Sequence, residues 1–276
     1  MAGSKGEIPL SQVSIKLSFS HLVIISWLLL VLSAVIFELQ PDQINLKNIL
    51  HPPGENSFFG QDELGRPVFD RLAAGAAVSM TVALGVTLVS TMVGILVGAF
   101  SAWKGEKIDQ VIVRIIDFFM AFPGLLLAIA LAGILGPGIN NLVIALSAVG
   151  WVGFARLTRA QVLVIKHRDH IYAAKALGSS SAKILFQHLL PLIVAPLVIE
   201  ATFLLASVVI AEAGLSFLGI GIQPPQASWG NMIREGTSYL LVAPHLVLIP
   251  GVSLALVVLA INQIGDQFRD KLDRKL

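Results

Sequence analysis

The sequence predicts an all-α, polytopic membrane protein with six transmembrane helices and a short cytoplasmic helical hairpin. Three observations carry that reading. Hydrophobic residues make up 55% of the 276 and charged residues only 13%, with a mean hydropathy of +0.82, whereas a soluble globule needs about a quarter of its residues charged. Windows of about twenty Leu, Val, Ile, Ala and Gly residues recur, the length that a ~30 Å hydrocarbon layer demands of a helix. Lys and Arg crowd alternate connecting segments.

The first window, His21 to Leu39, follows Lys5 and Lys16 as a signal peptide would. It is read as an uncleaved span, because no small-x-small site follows the run that ends in "FELQPDQ". "HPPGENSFFGQDELGRP" is then a loop by its Pro, Gly and Asn punctuation. The second span, Ala74 to Ala102, carries Gly75, Gly85, Gly94 and Gly98. The last two form a small-xxx-small pair that brings helix backbones together, within the bundle or against a partner chain. The third span runs from Val111 to Ile134, with Arg114 and Asp117 spaced for an intrahelical ion pair. The fourth, Asn141 to Phe154, is short and open to extension past Leu157. The fifth is Leu190 to Ile210. "GIQPPQASWGNM" follows as a compact loop, and the sixth span is Leu240 to Ile264, with His245 as a single neutral histidine inside it. Residues 1–72 hold the N-terminal tail, the first span and an extracytoplasmic loop, and residues 73–276 form the core.

Charge sets the orientation. With the N-terminus inside, 15 of the 19 Lys and Arg fall on the cytoplasmic side, and only Lys47, Arg66, Arg71 and Arg234 remain outside. The positive-inside rule therefore places both termini in the cytoplasm.

The hairpin "HIYAAKALGSSSAKILFQHLLP", about residues 170–190, is only moderately apolar. "IYAAKAL" is a short helix former, and Gly178 is placed as the left-handed residue that ends it. Ser179, Ser180 or Ser181 can cap a second helix that runs through Pro191 into the fifth span. Ala173, Ala174 and Ala176 give a slim face suited to a cleft in another protein, because a helix lying on lipid would carry more Trp, Phe and Lys. Read plainly, it is an orderly connection between two spans.

Other chemistry is sparse. No Cys is present, so thiolate metal sites and disulfides are excluded. His167, His170 and His188 lack partners at metal-ligand spacing, so no metal site is expected. A net charge of +2 gives no case for nucleic acid. There is no G-x-x-x-x-G-K-[ST] loop for ATP phosphates, no H-E-x-x-H helix and no G-x-S-x-G elbow. Glu200, inside the fifth span, either lines a solute pathway and meets a cationic group or is a buried hydrogen-bonding group. Glu200 and Asp117 would also serve a proton-coupled secondary transporter, against which stands the lack of an inverted repeat.

"YAAKALG", followed nine residues later by "HLLP", resembles the cytoplasmic signature of importer-type ABC permeases: Glu-Ala-Ala, three residues, Gly, nine residues, then a hydrophobic residue before Pro. Tyr172 stands where that signature has Glu, while Ala173, Ala174, Gly178, Leu190 and Pro191 fit it. "GQDELGRPVFDRLAAGAAVSM", "RIIDFFMAFPGLLLAIAL", "AEAGLSFLGIGIQPPQASWGNMI" and "IPGVSLALVVLAINQIGDQFRDKLD" look like the dipeptide, oligopeptide and nickel permease family, and within it the shorter permease with a DELGR segment.

The resemblance implies a permease of the bacterial cytoplasmic (inner) membrane for di- or oligopeptides, with nickel or a metal chelate as the alternative. Its implied partners are a second, homologous permease in a heterodimer, two cytoplasmic ATPase subunits and an extracytoplasmic solute-binding protein. ATP and Mg would sit on the ATPases; this chain would bind no cofactor and catalyse no reaction. Tyr172, Ala173, Ala174, Gly178, His188 and Pro191 would form the ATPase-coupling hairpin. In the extracytoplasmic loops Asp62, Arg66 and Trp229 would meet the binding protein, or else brace the bundle.

Overall fold

The computed structural model describes residues 18–37, 39–54 and 57–273. Lys5, Lys16, Glu38, Arg274 and Lys275, used above for spans and orientation, lie outside them. The described chain folds as helices α1 (Phe19–Ile36), α2 (Val68–Lys104), α3 (Glu106–Ala121), α4 (Gly124–Leu135), α5 (Ile139–Ile165), α6 (Asp169–Ala176), α7 (Ser181–Ile184), α8 (Leu190–Phe217), α9 (Trp229–Thr237) and α10 (His245–Asp273).

Five helical runs are long and apolar enough to cross a membrane, and a sixth span exists if α3 and α4 count as one. That pair occupies the expected third span, Val111 to Ile134, but with its two halves meeting at 87°. The cause lies in "MAFPGL". Pro123 has no N–H to give the helix ladder, and it forces Phe122 into extended backbone at φ −97°, ψ 139°. Nor do Arg114 and Asp117 pair; both are exposed, and the ion pairs among the described residues lie elsewhere. Asp109 is instead clamped by Arg159, with two hydrogen bonds of 2.6 Å, and by the Ser101 hydroxyl. α3 is thereby tied to α5 and to the end of α2.

Apart from α1, the remaining spans run longer than their apolar windows. α5 continues to Ile165, α8 to Phe217, and α2 fills 37 residues, about 55 Å of helix. α10 begins at His245 rather than Leu240, because residues 239–244 form turns.

The seam between α2 and α5 is made by missing side chains. A Cβ on Gly94 would collide with Phe154 and the Trp151 carbonyl, and one on Gly98 with the Ala155 carbonyl. The four glycines of α2 thus serve contacts inside this chain: Gly75 lies under Trp229, and Gly85 faces Val143. Among the described residues a minor apolar cluster of Ile116, Val152 and Ala155 joins α3 to α5, and two main cores result. The larger joins α1, α2, α5, α8, α9 and α10. The smaller joins Ala99, Phe154, Val162, Ile165, Ile171, Ala174, Ile184, Leu189 and Ile193 beneath the hairpin.

Candidate functional site

α6 starts after Arg168, with Asp169 in its first turn and Lys175 in its last, charges that suit the helix dipole. Ile171 and Ala174 face the smaller core. Tyr172, Ala173, Ala176 and Leu177 face away, and Leu177 is 86% exposed. Ala174 therefore seats the hairpin on the bundle rather than presenting it, a correction to its place on the outward slim face. The Tyr172 hydroxyl lies 2.9 Å from His167 Nδ1 and joins α6 to the turn before it.

The helix ends as expected at Gly178, whose φ is +76°. The Gly178 N–H reaches the Lys175 carbonyl and the Ser179 N–H reaches the Ala174 carbonyl, the pair of bonds that closes a Schellman turn. The space where a Gly178 Cβ would stand is empty to 4 Å, so glycine is required here by backbone conformation alone. Ser180 is the cap of the next helix and accepts from the Lys183 N–H. From Ser181 the helix runs into α8 through one π turn, Leu185–Leu189, which holds half-buried His188. Pro191, exposed just beyond, cannot donate to the Gln187 carbonyl, and the Leu190 N–H bonds to the Leu185 carbonyl in the wider register.

The opposite end of the bundle is closed by charge. Asp62 accepts from the Leu64 and Arg66 N–H groups at 2.9 Å and from Arg66 Nε at 2.7 Å. Arg66 Nη2 also donates to Glu63 and Glu235. Arg71, on α2 and 1% exposed, donates to Glu235 at 2.8 Å and lies 3.4 Å from Asp62. Three carboxylates thus share two guanidinium groups. Burial, and then the negative charge of Asp62, hold Glu63 above the ordinary value of 4.5 against the pull of Arg66.

Trp229 is buried beside this knot. It donates from Nε1 to the Leu72 carbonyl at 2.9 Å and packs on Trp27 with ring centroids 6.3 Å apart. Of the two readings of Asp62, Arg66 and Trp229, contact with a binding protein or bracing of the bundle, their side chains fit the second: they are spent inside the chain, holding α9 and the loop after α1 against the end of α2.

Two carboxylates lie along α8. Glu212 is fully buried and accepts from the Ser79 hydroxyl at 2.7 Å and the Ser216 hydroxyl at 2.9 Å. Ser216 in turn accepts from the Ile222 N–H, tying α2, α8 and the following loop together. Glu200 is half-buried, with one carboxylate oxygen against bare Gly153, where a Cβ would stand only 2.6 Å away. Among the described residues no other helix of this chain holds it by a hydrogen bond or an ion pair.

Sequence reading missed Glu212, Arg71, Glu235, Asp109 and Arg159. For Glu212 a signal was present: a carboxylate inside an apolar helical run with a serine four residues on. It was lost when the fifth span was stopped at Ile210. The other four pair across 50 to 169 residues of chain, and no local pattern announces that.

The family described as "Binding-protein-dependent transport system inner membrane component" matches residues 90–276. The dipeptide transport system permease protein DppC of Alkalihalophilus pseudofirmus is 39% identical over 234 residues, 85% of this chain and 77% of that protein. The di/tripeptide transport system permease protein DppC of Pseudomonas aeruginosa is 39% identical over 234 residues, covering 83% and 77%. The glutathione transport system permease protein GsiD of Pectobacterium atrosepticum is 39% identical over 224 residues, covering 81% and 74%. Among solved structures, a chain of the MetNI methionine ABC transporter in an inward-facing conformation superimposes with a TM-score of 0.58 at 19% identity, over 72% of this chain and 95% of that one. That likeness is one of fold.

Proposed function

The chain belongs to the family of binding-protein-dependent transport system inner membrane components, and from that premise we propose that its cargo is a di- or oligopeptide. It is a permease component of an ABC importer, a multi-pass membrane subunit rather than a whole transporter. Relatives named for dipeptides, di- and tripeptides and glutathione support the cargo. Both termini and the hairpin face the cytoplasm. ATP and Mg are held by two partner ATPases, this chain binds no cofactor and performs no hydrolysis, and a second, homologous permease completes the passage.

The observation that carries the coupling reading is the two-sided hairpin. Ile171 and Ala174 fasten it to a core shared with α2, α5 and α8, while Tyr172, Ala173, Ala176 and Leu177 remain outside. Those outward residues enter a groove of an ATPase subunit, Gly178 fixes the angle of the hairpin, and His188 and Pro191 lie in the joint that passes its motion to α8. Glu200, half-exposed against Gly153, lines the passage and meets a cationic group of the solute. With Asp62, Arg66 and Trp229 occupied internally, the loop surfaces around them meet the binding protein.

The test is ATP hydrolysis by this chain assembled in liposomes with its neighbouring permease, ATPases and binding protein. Peptide-loaded binding protein stimulates hydrolysis, and Gly178→Val abolishes the stimulation. Stimulation by nickel-loaded but not peptide-loaded binding protein reassigns the cargo. If no ATPase co-purifies and uptake follows a proton gradient, the coupling reading fails and Glu200 and Asp117 become the residues to pursue. Orientation is read separately in this cysteine-free chain. A membrane-impermeant maleimide added outside intact cells labels Leu241→Cys and spares Leu177→Cys.

A further inference from the structure

At the hairpin end, the last turns of α2 and the start of the α7–α8 helix leave a cleft of about 470 Å³ between them. Its walls are Leu96, Val97, Phe100 and Trp103 on one side and Ala182, Leu185 and Phe186 on the other. The volume falls within the roughly 300–1,000 Å³ of small-molecule sites. Leading to it along α2 is an exposed ridge of apolar residues four apart, Leu84, Leu88, Met92, Leu96 and Phe100, which ends at Lys104. Such a ridge offers a single file of hydrocarbon contact.

The mouth is cationic. Lys104 lines the cleft, with Nζ 5.9 Å from the Phe100 ring centroid. Lys175 reaches over from α6, with Nζ 4.6 Å from the Trp103 centroid. Both lysines are exposed and without an ion pair among the described residues. Lys166 is committed to the Ala102 carbonyl. Of the acidic residues on these segments, Asp109 is held by Arg159 and Ser101, leaving Glu106 and Asp169 exposed to solvent.

Depth decides what can enter. α2 and the helical run 181–217 are each 37 residues long, about 55 Å against a hydrocarbon layer of ~30 Å. Their ends therefore emerge from the apolar layer, and the cleft between those ends lies where hydrocarbon gives way to headgroups. An interfacial Trp, lysines lying along aromatic rings and an unneutralised positive rim are the features of a lipid headgroup level.

We propose that this cleft binds one anionic phospholipid, with an acyl chain along the α2 ridge and in the cleft and the phosphate between Lys104 and Lys175. The cytoplasmic reading of the hairpin enters only in naming the inner leaflet as the source. Lys175 belongs to the hairpin and Trp103 to α2, so the bound headgroup would bridge the coupling element to the bundle.

The experiment uses the assembled transporter in nanodiscs of phosphatidylcholine containing a minor fraction of bromine-labelled lipid, either phosphatidylglycerol or phosphatidylcholine. The reporter is the fluorescence component that Trp103→Phe removes. Brominated phosphatidylglycerol is expected to quench it preferentially, and Lys104→Gln or Lys175→Gln should each weaken that preference roughly fivefold. Both lysines are exposed, so these variants keep the fold. Equal quenching by the two lipids means ordinary boundary lipid and overturns the proposal. Quenching by neither means that protein covers the cleft, which also overturns it. Nanodiscs offer lipid to both faces, so an inverted orientation leaves this result unchanged and shows only in the maleimide labelling.

Discussion

At the loop end of the bundle, five buried or nearly buried charges, Asp62, Glu63, Arg66, Arg71 and Glu235, cross-tie the loop after α1, the start of α2 and α9. At the hairpin end, α6 rests on the bundle through Ile171 and Ala174, and no ion pair among the described residues fastens it. The contrast is between a joint that fails if one partner leaves and a joint that can slide. A buried charge without its partner costs several kcal/mol, whereas apolar contacts exchange neighbours at small cost. The loop end is held by paired charge, and α6 at the hairpin end by apolar seating.

Breaking the loop-end knot is expected to have the largest effect. Arg71→Ala leaves Glu235 short of a partner and should destabilise the subunit by about 3–5 kcal/mol, seen as a lower melting temperature and lost monodispersity in detergent. Glu212→Ala orphans the Ser79 and Ser216 hydroxyls and should cost about 1–3 kcal/mol by the same measurement. At the hairpin the ranking of stability and function reverses. Gly178→Ala meets no neighbour and adds only the strain of its positive φ, about 1–2 kcal/mol. Its larger consequence is in coupling, with binding-protein stimulation of ATP hydrolysis lost while the melting temperature falls by only a few degrees. Leu177→Glu, on the exposed tip, should leave stability within about 0.5 kcal/mol and weaken co-purification of the ATPase.

The smallest expected effect is one of pH, and it sharpens the comparison because the loop end should lose stability as pH rises, whereas the Asp109 clamp, its carboxyl held low by Arg159, loses stability only as pH falls. Glu63 has its folded value raised by burial and by Asp62, so the folded state holds its proton more tightly than the unfolded chain. The resulting stability is fully present below the ordinary value of 4.5 and is lost as pH rises through the raised folded value. A melting series upward from pH 4.5 should show this decline, and Glu63→Gln should flatten it.

What was legible in the sequence follows from the range of each interaction. Spans, turn punctuation and the left-handed Gly178 are written in a few adjacent residues, and they were found. The right angle between α3 and α4 was also local, because Pro123 stood in plain view. It was overlooked because a predominantly apolar run satisfies the hydropathy of a span whether or not the backbone bends. The knot was beyond reach for another reason: Arg66 and Glu235 are 169 residues apart, and a charged loop residue looks the same whether it folds inward or faces a partner. Trp229 was open in the same way, since Pro, Gly and Trp in a compact loop do not say which wall the indole will lie on.

The bare glycine seam between α2 and α5 has one more consequence. With Gly94 and Gly98 letting backbone rest on backbone, there is no layer of side chains to absorb a displacement, and Arg159 gripping Asp109 locks α3 to the same pair. The three helices are therefore tied into one plank, with the hairpin attached directly after α5. A plank about 55 Å long magnifies small rotations: about 5° at one end sweeps the other through about 5 Å. The far end is Arg71 and its ring of carboxylates. On the proposed coupling role, a push on the hairpin too slight to disturb any single contact there would arrive at that ring as a displacement wider than a salt bridge, so the ring itself would resist it first.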